Sequence, residues 1–154
     1  MKKIYLGADH AGFELKERIK GWFRKNRVLY EDCGNLQYDI NDDYPDFAAL
    51  VGKEVVQHKS KGILVCGSAE GVCIAANKVP GIRAVNPASK VQALFARRHE
   101  DVNILCLAGG KTRQPQPGIS FSRAKERITT FLNTDFSGEE RHRRRLAKIK
   151  QMEK

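Results

Sequence analysis

The chain has 154 residues, 41% hydrophobic and 30% charged, enough to bury a real core as one globular domain spanning 1–154. No apolar run is long enough to cross a membrane, and Met1-Lys2-Lys3-Ile4-Tyr5-Leu6-Gly7 turns to Ala8-Asp9-His10 before a signal-peptide core can form, so a cytoplasmic protein with no membrane partner is expected. The formal charge of +10 suits a nucleic acid or a small anionic substrate, and composition does not choose between them.

Apolar runs alternate with helical patterns. Ile4-Tyr5-Leu6-Gly7 reads as a strand, and after Gly12 the residues Leu15, Ile19, Trp22 and Phe23 fall on one helix face. Val28-Leu29-Tyr30 opens a second strand ending near Cys33-Gly34. A polar loop from Asn35 to Asp43 leads to Pro45, suited to the first turn of a helix that carries Phe47, Leu50, Val51 and Val55 inward. Gly62-Ile63-Leu64-Val65-Cys66 is apolar throughout, as a buried parallel strand should be. Gly67-Ser68-Ala69-Glu70-Gly71 then opens a helix running to Asn77. Ile82–Val85 is a fourth strand, Val91, Leu94 and Phe95 mark the next helix, and Ile104–Leu107 is a fifth strand. Beyond a loop from Gln114 to Gly118, Phe121, Ala124, Ile128, Phe131 and Leu132 form another stripe. Ser137-Gly138-Glu139-Glu140 fits a capping box for a basic terminal helix from about residue 138.

Five strands interleaved with helices predict an α/β sandwich with a mostly parallel sheet, whose ligands sit beyond the carboxyl ends of the strands. Asp9-His10, Asp43-Tyr44 and Cys66-Gly67-Ser68 stand at such ends, and His99 lies just before the fifth strand. A shared edge carrying Asp, His, Tyr, Cys and Ser is chemically loaded. Each residue also has a plainer reading: Cys66 as a buried thiol, either histidine as a surface or capping group, and Arg141-His142-Arg143-Arg144-Arg145 as a solvated face or nucleic-acid patch. The turn and helix start after Cys66 favour chemistry, because N–H groups at a helix N-terminus lower a thiol pKa and attract anions. The four cysteines have no C-x-x-C or zinc spacing and read as free thiols.

Together these segments resemble the type B ribose-5-phosphate isomerase family, which also contains the galactose-6-phosphate isomerase subunits. The resemblance rests on Gly7-Ala8-Asp9-His10-Ala11-Gly12-Phe13, Asp43-Tyr44-Pro45-Asp46, Gly62 to Gly67, Ile74 to Arg83, Ala96-Arg97-Arg98-His99 and Arg141 to Arg145. It implies a Rossmann-like three-layer sandwich with a five-stranded parallel sheet. It also implies a homodimer or homotetramer with shared sites, no metal and no cofactor. Carried over by position, Cys66 is the base that moves the C2 proton, Ser68 shuttles protons between O1 and O2, and His99 opens the furanose ring. Asp9 and Tyr44 contact sugar hydroxyls, while His10, Arg141 and Arg145 bind the phosphate. Main-chain N–H groups of residues 67–71, including Gly67, Ala69 and Gly71, hold the enediolate oxygen. The implied reaction interconverts ribose 5-phosphate and ribulose 5-phosphate. The alternatives are a 6-phospho-hexose isomerase, or a member without isomerase activity that binds sugar phosphate or nucleic acid; nucleic acid is not expected.

Three positions depart from the family pattern. Ala69 replaces a glycine, which strains the turn by about 1–2 kcal/mol if that position needs positive φ. Glu100 follows His99 where an asparagine is usual, placing an acceptor-only carboxylate beside the substrate position. The turn Leu107 to Lys111 is one residue longer than the family's, so the phosphate contact expected there falls to Lys111 or Arg113, or is absent.

Overall fold

The computed structural model describes residues 2–112 and 117–153. The elements, in chain order, are β1 (Ile4–Ala8), α1 (Phe13–Lys25), β2 (Tyr30–Asp32), α2 (Tyr44–His58), β3 (Lys61–Cys66), α3 (Glu70–Ala76), β4 (Ala84–Val85), α4 (Lys90–Glu100), β5 (Ile104–Ala108), α5 (Phe121–Asn133) and α6 (Glu140–Lys150). The five strands form one parallel sheet in the order β2-β1-β3-β5-β4. Among the described residues no helix is long and apolar enough to cross a membrane.

Strand alternation builds two cores. Ile4, Leu6, Ile63, Val65, Leu105 and Leu107 face one way and pack with Leu15, Ile19 and Phe23 of α1 and Ile128 and Phe131 of α5. Tyr5, Leu64, Cys66, Ile104 and Cys106 face the other way, against Val51 and Val55 of α2 and Val72 and Ala76 of α3. Both faces are covered, which accounts for the unbroken apolar run of β3. The chain leaves β1 for β2 through α1 on one face and returns to β3 through α2 on the other, so the order reverses between β1 and β3. The crevice beyond their carboxyl ends is where such sheets bind ligands.

Several expectations are revised. β2 and β4 are shorter than the apolar runs suggested. At β4 the Asn77 amide takes both main-chain groups of Ala84, donating to its O (2.9 Å) and accepting from its N (2.8 Å), which closes that edge. Leu50 does not point inward but is exposed, and Val91 and Phe95, which mark α4 as expected, are exposed on it. The buried face of α4 is instead Ala93 and Arg97, whose guanidinium pairs with Asp101 at 2.9 Å. The capping box does not form: Glu139 is the N-cap of α6, and Ser137 Oγ instead accepts from Glu139 N and pairs with His142 Nδ1 at 2.7 Å.

Candidate active site

Cys66 ends β3 facing the α2–α3 layer, 4% exposed. Main-chain N–H groups of Val72, Ala69 and Ser68 point at its sulfur. Burial raises the thiol above its ordinary value and outweighs those donors, with nearby Asp9 adding to the rise. The free chain therefore holds Cys66 as a thiol, contrary to the lowered value expected from a helix N-terminus alone.

Around that sulfur lies a cavity of about 720 Å³ lined by Asp9, His10, Asp42, Tyr44, Ser68 and Thr112, among others. Two close approaches shape it. A Cβ on Gly71 would stand 2.7 Å from the Tyr44 ring, and one on Gly67 would stand 2.1 Å from Thr112 Cγ2. Glycine at 71 thus lets Tyr44, at the first turn of α2, lie across the start of α3. Asp9 is buried and accepts the Gly12 N–H at 2.9 Å. Burial raises its carboxyl above the usual range despite that bond. Ser68 Oγ accepts the Glu70 N–H at 3.4 Å. Of the N–H groups at 67–71 expected to hold an oxyanion, those of Ser68 and Ala69 are turned to the Cys66 sulfur and that of Glu70 to Ser68.

His99 is not in this cavity. It stands in the last turn of α4, and the neighbouring Glu100 carbonyl accepts from Arg83, which precedes β4. That is the amino edge of the sheet, whereas Cys66 pairs with Ala108 at the carboxyl edge. About four or five residues of strand, on the order of 15 Å, separate the two levels. His99 packs instead between Phe95, at 5.0 Å, and His142 of α6, at 4.3 Å between ring centroids. Arg141 and Arg145 belong to that same helix, with Arg141 paired to Glu139 at 2.9 Å. Within one chain His99 thus does not share the edge that Asp9, His10, Tyr44, Cys66 and Ser68 occupy, and the candidate residues form two clusters.

The cavity itself is acidic, with Asp9, Asp42, Asp43 and Glu70 around His10, and no Lys or Arg among its described lining residues. Asp9, His10 and Asp42 bring one ligand atom each within 4.8 Å, the set among the described residues that could hold a cation. Their mutual spacing is already explained by protein bonds: Asp9 to Gly12, and Asp42 to His10 at 2.6 Å and Asn35 at 2.7 Å. Asp42 and Thr112, which line the cavity, and His142, which packs on His99, had no role assigned from the sequence, because these placements join residues far apart in the chain.

The profile of the ribose/galactose isomerase family matches residues 4–149. The chain is 39% identical over 153 residues to a probable ribose-5-phosphate isomerase B of Mycoplasma genitalium, covering 98% of this chain and 95% of the relative. The chain belongs to the ribose/galactose isomerase family. Its fold superimposes on ribose-5-phosphate isomerase B of Clostridium thermocellum with a TM-score of 0.89 and 35% identity, over 99% of this chain and 97% of the other. It also superimposes on the Mycoplasma genitalium enzyme with bound ribulose-5-phosphate, with a TM-score of 0.87 and 37% identity, over 98% and 95% of the two chains.

In this family member Ala69 has φ 72° and ψ −14°, the left-handed conformation, with its methyl buried in the second core. The Glu100 side chain is exposed, remote from its own chain's cavity. Lys111 lies 3.4 Å from the Glu14 carboxylate and outside the cavity lining, and Arg113 falls outside the described residues.

Proposed function

We propose that this chain interconverts ribose 5-phosphate and ribulose 5-phosphate without a metal, at sites completed by a second copy of itself in a homodimer or homotetramer. The carrying observation is Cys66, set at the floor of a polar cavity under three main-chain N–H groups. The related protein that holds ribulose-5-phosphate supports the substrate.

The proton beside a carbonyl is weakly acidic, so its removal needs a base and a place for negative charge. As thiolate, Cys66 takes the C2 proton of the open-chain aldose, and the electron pair moves onto the C1 carbonyl oxygen to give an enediolate. Ser68 exchanges the hydroxyl proton between O1 and O2, and the Cys66 thiol returns its proton to C1, leaving the ketose at C2. A positioned base is worth roughly 10²–10⁴-fold and an oxyanion donor roughly 10²–10³-fold. Asp9 and Tyr44 contact the sugar hydroxyls, and His10 the phosphate.

A phosphate dianion needs more positive charge than this cavity offers. The second copy supplies it through Arg141 and Arg145, with His99 beside them to open the ring. Exposed Ile40, Tyr44 and Ile74 at the cavity, and Val91 and Phe95 on α4, are apolar surface for such a neighbour to cover. Bringing these cations over Cys66 also lowers the cost of its thiolate. Four free thiols suit a reducing compartment such as the cytoplasm.

The test is ribulose 5-phosphate formation from ribose 5-phosphate by purified chain treated with EDTA, with Cys66→Ala as control. Turnover that survives the chelator and disappears in the variant is expected. An active Cys66→Ala protein would remove the base, and a strict metal requirement would overturn the metal-free mechanism.

A further inference from the structure

The reaction outlined above gives no task to Asp42, although it is among the most firmly braced carboxylates at the cavity. Its side chain is 7% exposed. Oδ1 accepts from the His10 main-chain N–H at 2.9 Å and stands 2.6 Å from His10 Nδ1. Oδ2 accepts from Asn35 Nδ2 at 2.7 Å. Asn35 is anchored in turn, donating its main-chain N–H to Ala8 O at 2.7 Å. The preceding Gly34 donates to Asp32 Oδ1 at 3.0 Å, and Asp32 is held by the fully buried Lys16 at 2.6 Å. An unbroken chain of bonds thus runs from the α1–β2 ion network to the imidazole.

An ionised carboxylate accepts hydrogen bonds and cannot donate them, so the histidine nitrogen beside it must carry the hydrogen. Nδ1 is therefore the N–H of His10, and Nε2 is the ring atom left for a ligand. Tyr38 meets the ring edge-on, at 6.4 Å and 88°, and limits its rotation. We propose that Asp42 is a positioning residue that keeps the hydrogen of His10 on Nδ1 in the substrate-free protein and aims Nε2 at the substrate phosphate, to which Nε2 donates as imidazolium, with Asp42 supporting that charge from behind. This rests on the isomerase reading above.

A carboxylate beside a phosphate subsite is unfavourable on charge alone, and Asp9, Asp43, Glu70, Tyr44 and Cys66 also line this cavity. The geometry shows why Asp42 is tolerated. Both its oxygens are turned to protein donors, so the imidazole stands between its charge and the phosphate. The pair acts as a unit whose outward face is Nε2.

The test combines imidazole ¹⁵N NMR with steady-state kinetics on wild type, Asp42→Asn and Asn35→Ala. Wild-type His10 is expected as the Nδ1–H tautomer. In Asp42→Asn, whose amide can donate or accept, the tautomers mix. KM for ribose 5-phosphate then rises about tenfold, as for loss of one charge-assisted hydrogen bond, with kcat within about twofold. Affinity for inorganic phosphate falls by the same factor. Asn35→Ala, which keeps the Asp42–His10 pair and removes only its brace, shifts KM the same way by less. A role in stability alone would move the melting temperature and leave tautomer and KM unchanged. Wild-type His10 in the Nε2–H form, or Asp42→Asn with wild-type KM and phosphate affinity, would overturn the proposal. A chain inactive on ribose 5-phosphate would fail the isomerase reading instead, and the substrate-free tautomer measurement would still decide the lock.

Discussion

The imidazoles of His99 and His142 stack 4.3 Å apart between centroids, with 38° between their planes, and so tie α6 to the end of α4. His142 is 2% exposed and its Nδ1 pairs with the Ser137 hydroxyl at 2.7 Å. Burial, with His99 beside it, holds His142 below the usual histidine range. The ring-opening candidate and the arginines proposed to bind phosphate therefore stand together, away from their own Cys66.

Complementation follows from that separation. Cys66→Ala and His99→Asn chains should each be inactive alone. If sites are shared between two copies, random re-pairing makes about half the dimers mixed, each with one intact site, and recovers about a quarter of wild-type activity. Assays after unfolding and refolding an equimolar mixture check this. No recovery, with dimers re-formed, would mean the two clusters do not share a site.

The thiols should react in an order set by their surroundings. A hydrogen bond from the Cys106 thiol, ahead of the opposing effect of burial, holds the free Cys73 thiol below its ordinary value, and its side chain is only half-buried. Burial raises Cys66, pushes Cys33 to about 12 and puts Cys106 well above its ordinary value. Because the thiolate is the nucleophile, iodoacetamide at pH 7 should label Cys73 before Cys66 in substrate-free protein. The Cys66 rate should climb steadily with pH. Peptide mass mapping reads both. Cys66 labelled first at neutral pH would mean a resting thiolate, and with it that burial does not dominate there.

What the sequence showed depended on how local the signal was. The unbroken apolar runs of β1, β3 and β5 were legible because both faces of these strands are buried, and Cys66 was legible because a strand, a turn and a helix start meet at it. Leu50 misled because apolar spacing alone cannot tell a buried helix face from an exposed one. Asn77, within the Ile74-to-Arg83 stretch that carries part of the resemblance, closes the edge of β4, a role its sequence context did not show. Asp42 carried no pattern at all: its importance comes from lying 2.6 Å from a histidine 32 residues away.

Ala69→Gly is expected to change little. A residue with φ 72° costs about 1–2 kcal/mol unless it is glycine. Against that relief stand the lost burial of one methyl, about 0.8 kcal/mol, and the greater freedom of glycine in the unfolded chain, about 0.4–1 kcal/mol. The contributions nearly cancel. The Ala69 N–H already points at Cys66, so the turn has taken the glycine conformation at the methyl's expense. Chemical denaturation should place the variant within about 1 kcal/mol of wild type, with kcat within a few-fold. A large gain in kcat would show that the methyl misdirects the N–H groups after all.

Asp9→Asn should separate stability from activity. Burial is the main reason the Asp9 carboxyl lies above its usual range, the bond from Gly12 notwithstanding. As pH rises from the ordinary carboxyl range to the raised folded value, the unfolded chain gives up this proton first. Stability falls across that window, and the penalty persists at neutral pH. An asparagine keeps an oxygen for the Gly12 N–H and carries no charge to bury. Its Tm at pH 7.5 should therefore rise, by roughly 2–4 °C for each kcal/mol regained in a chain of this size, with the gain shrinking as pH is lowered. Turnover should drop at least about tenfold with the loss of a charged partner for the sugar hydroxyls. Calorimetry across pH, beside the isomerase assay, measures both. A lower Tm at neutral pH would show that the Asp9 carboxylate is a net support of the fold, held there by more than the Gly12 bond.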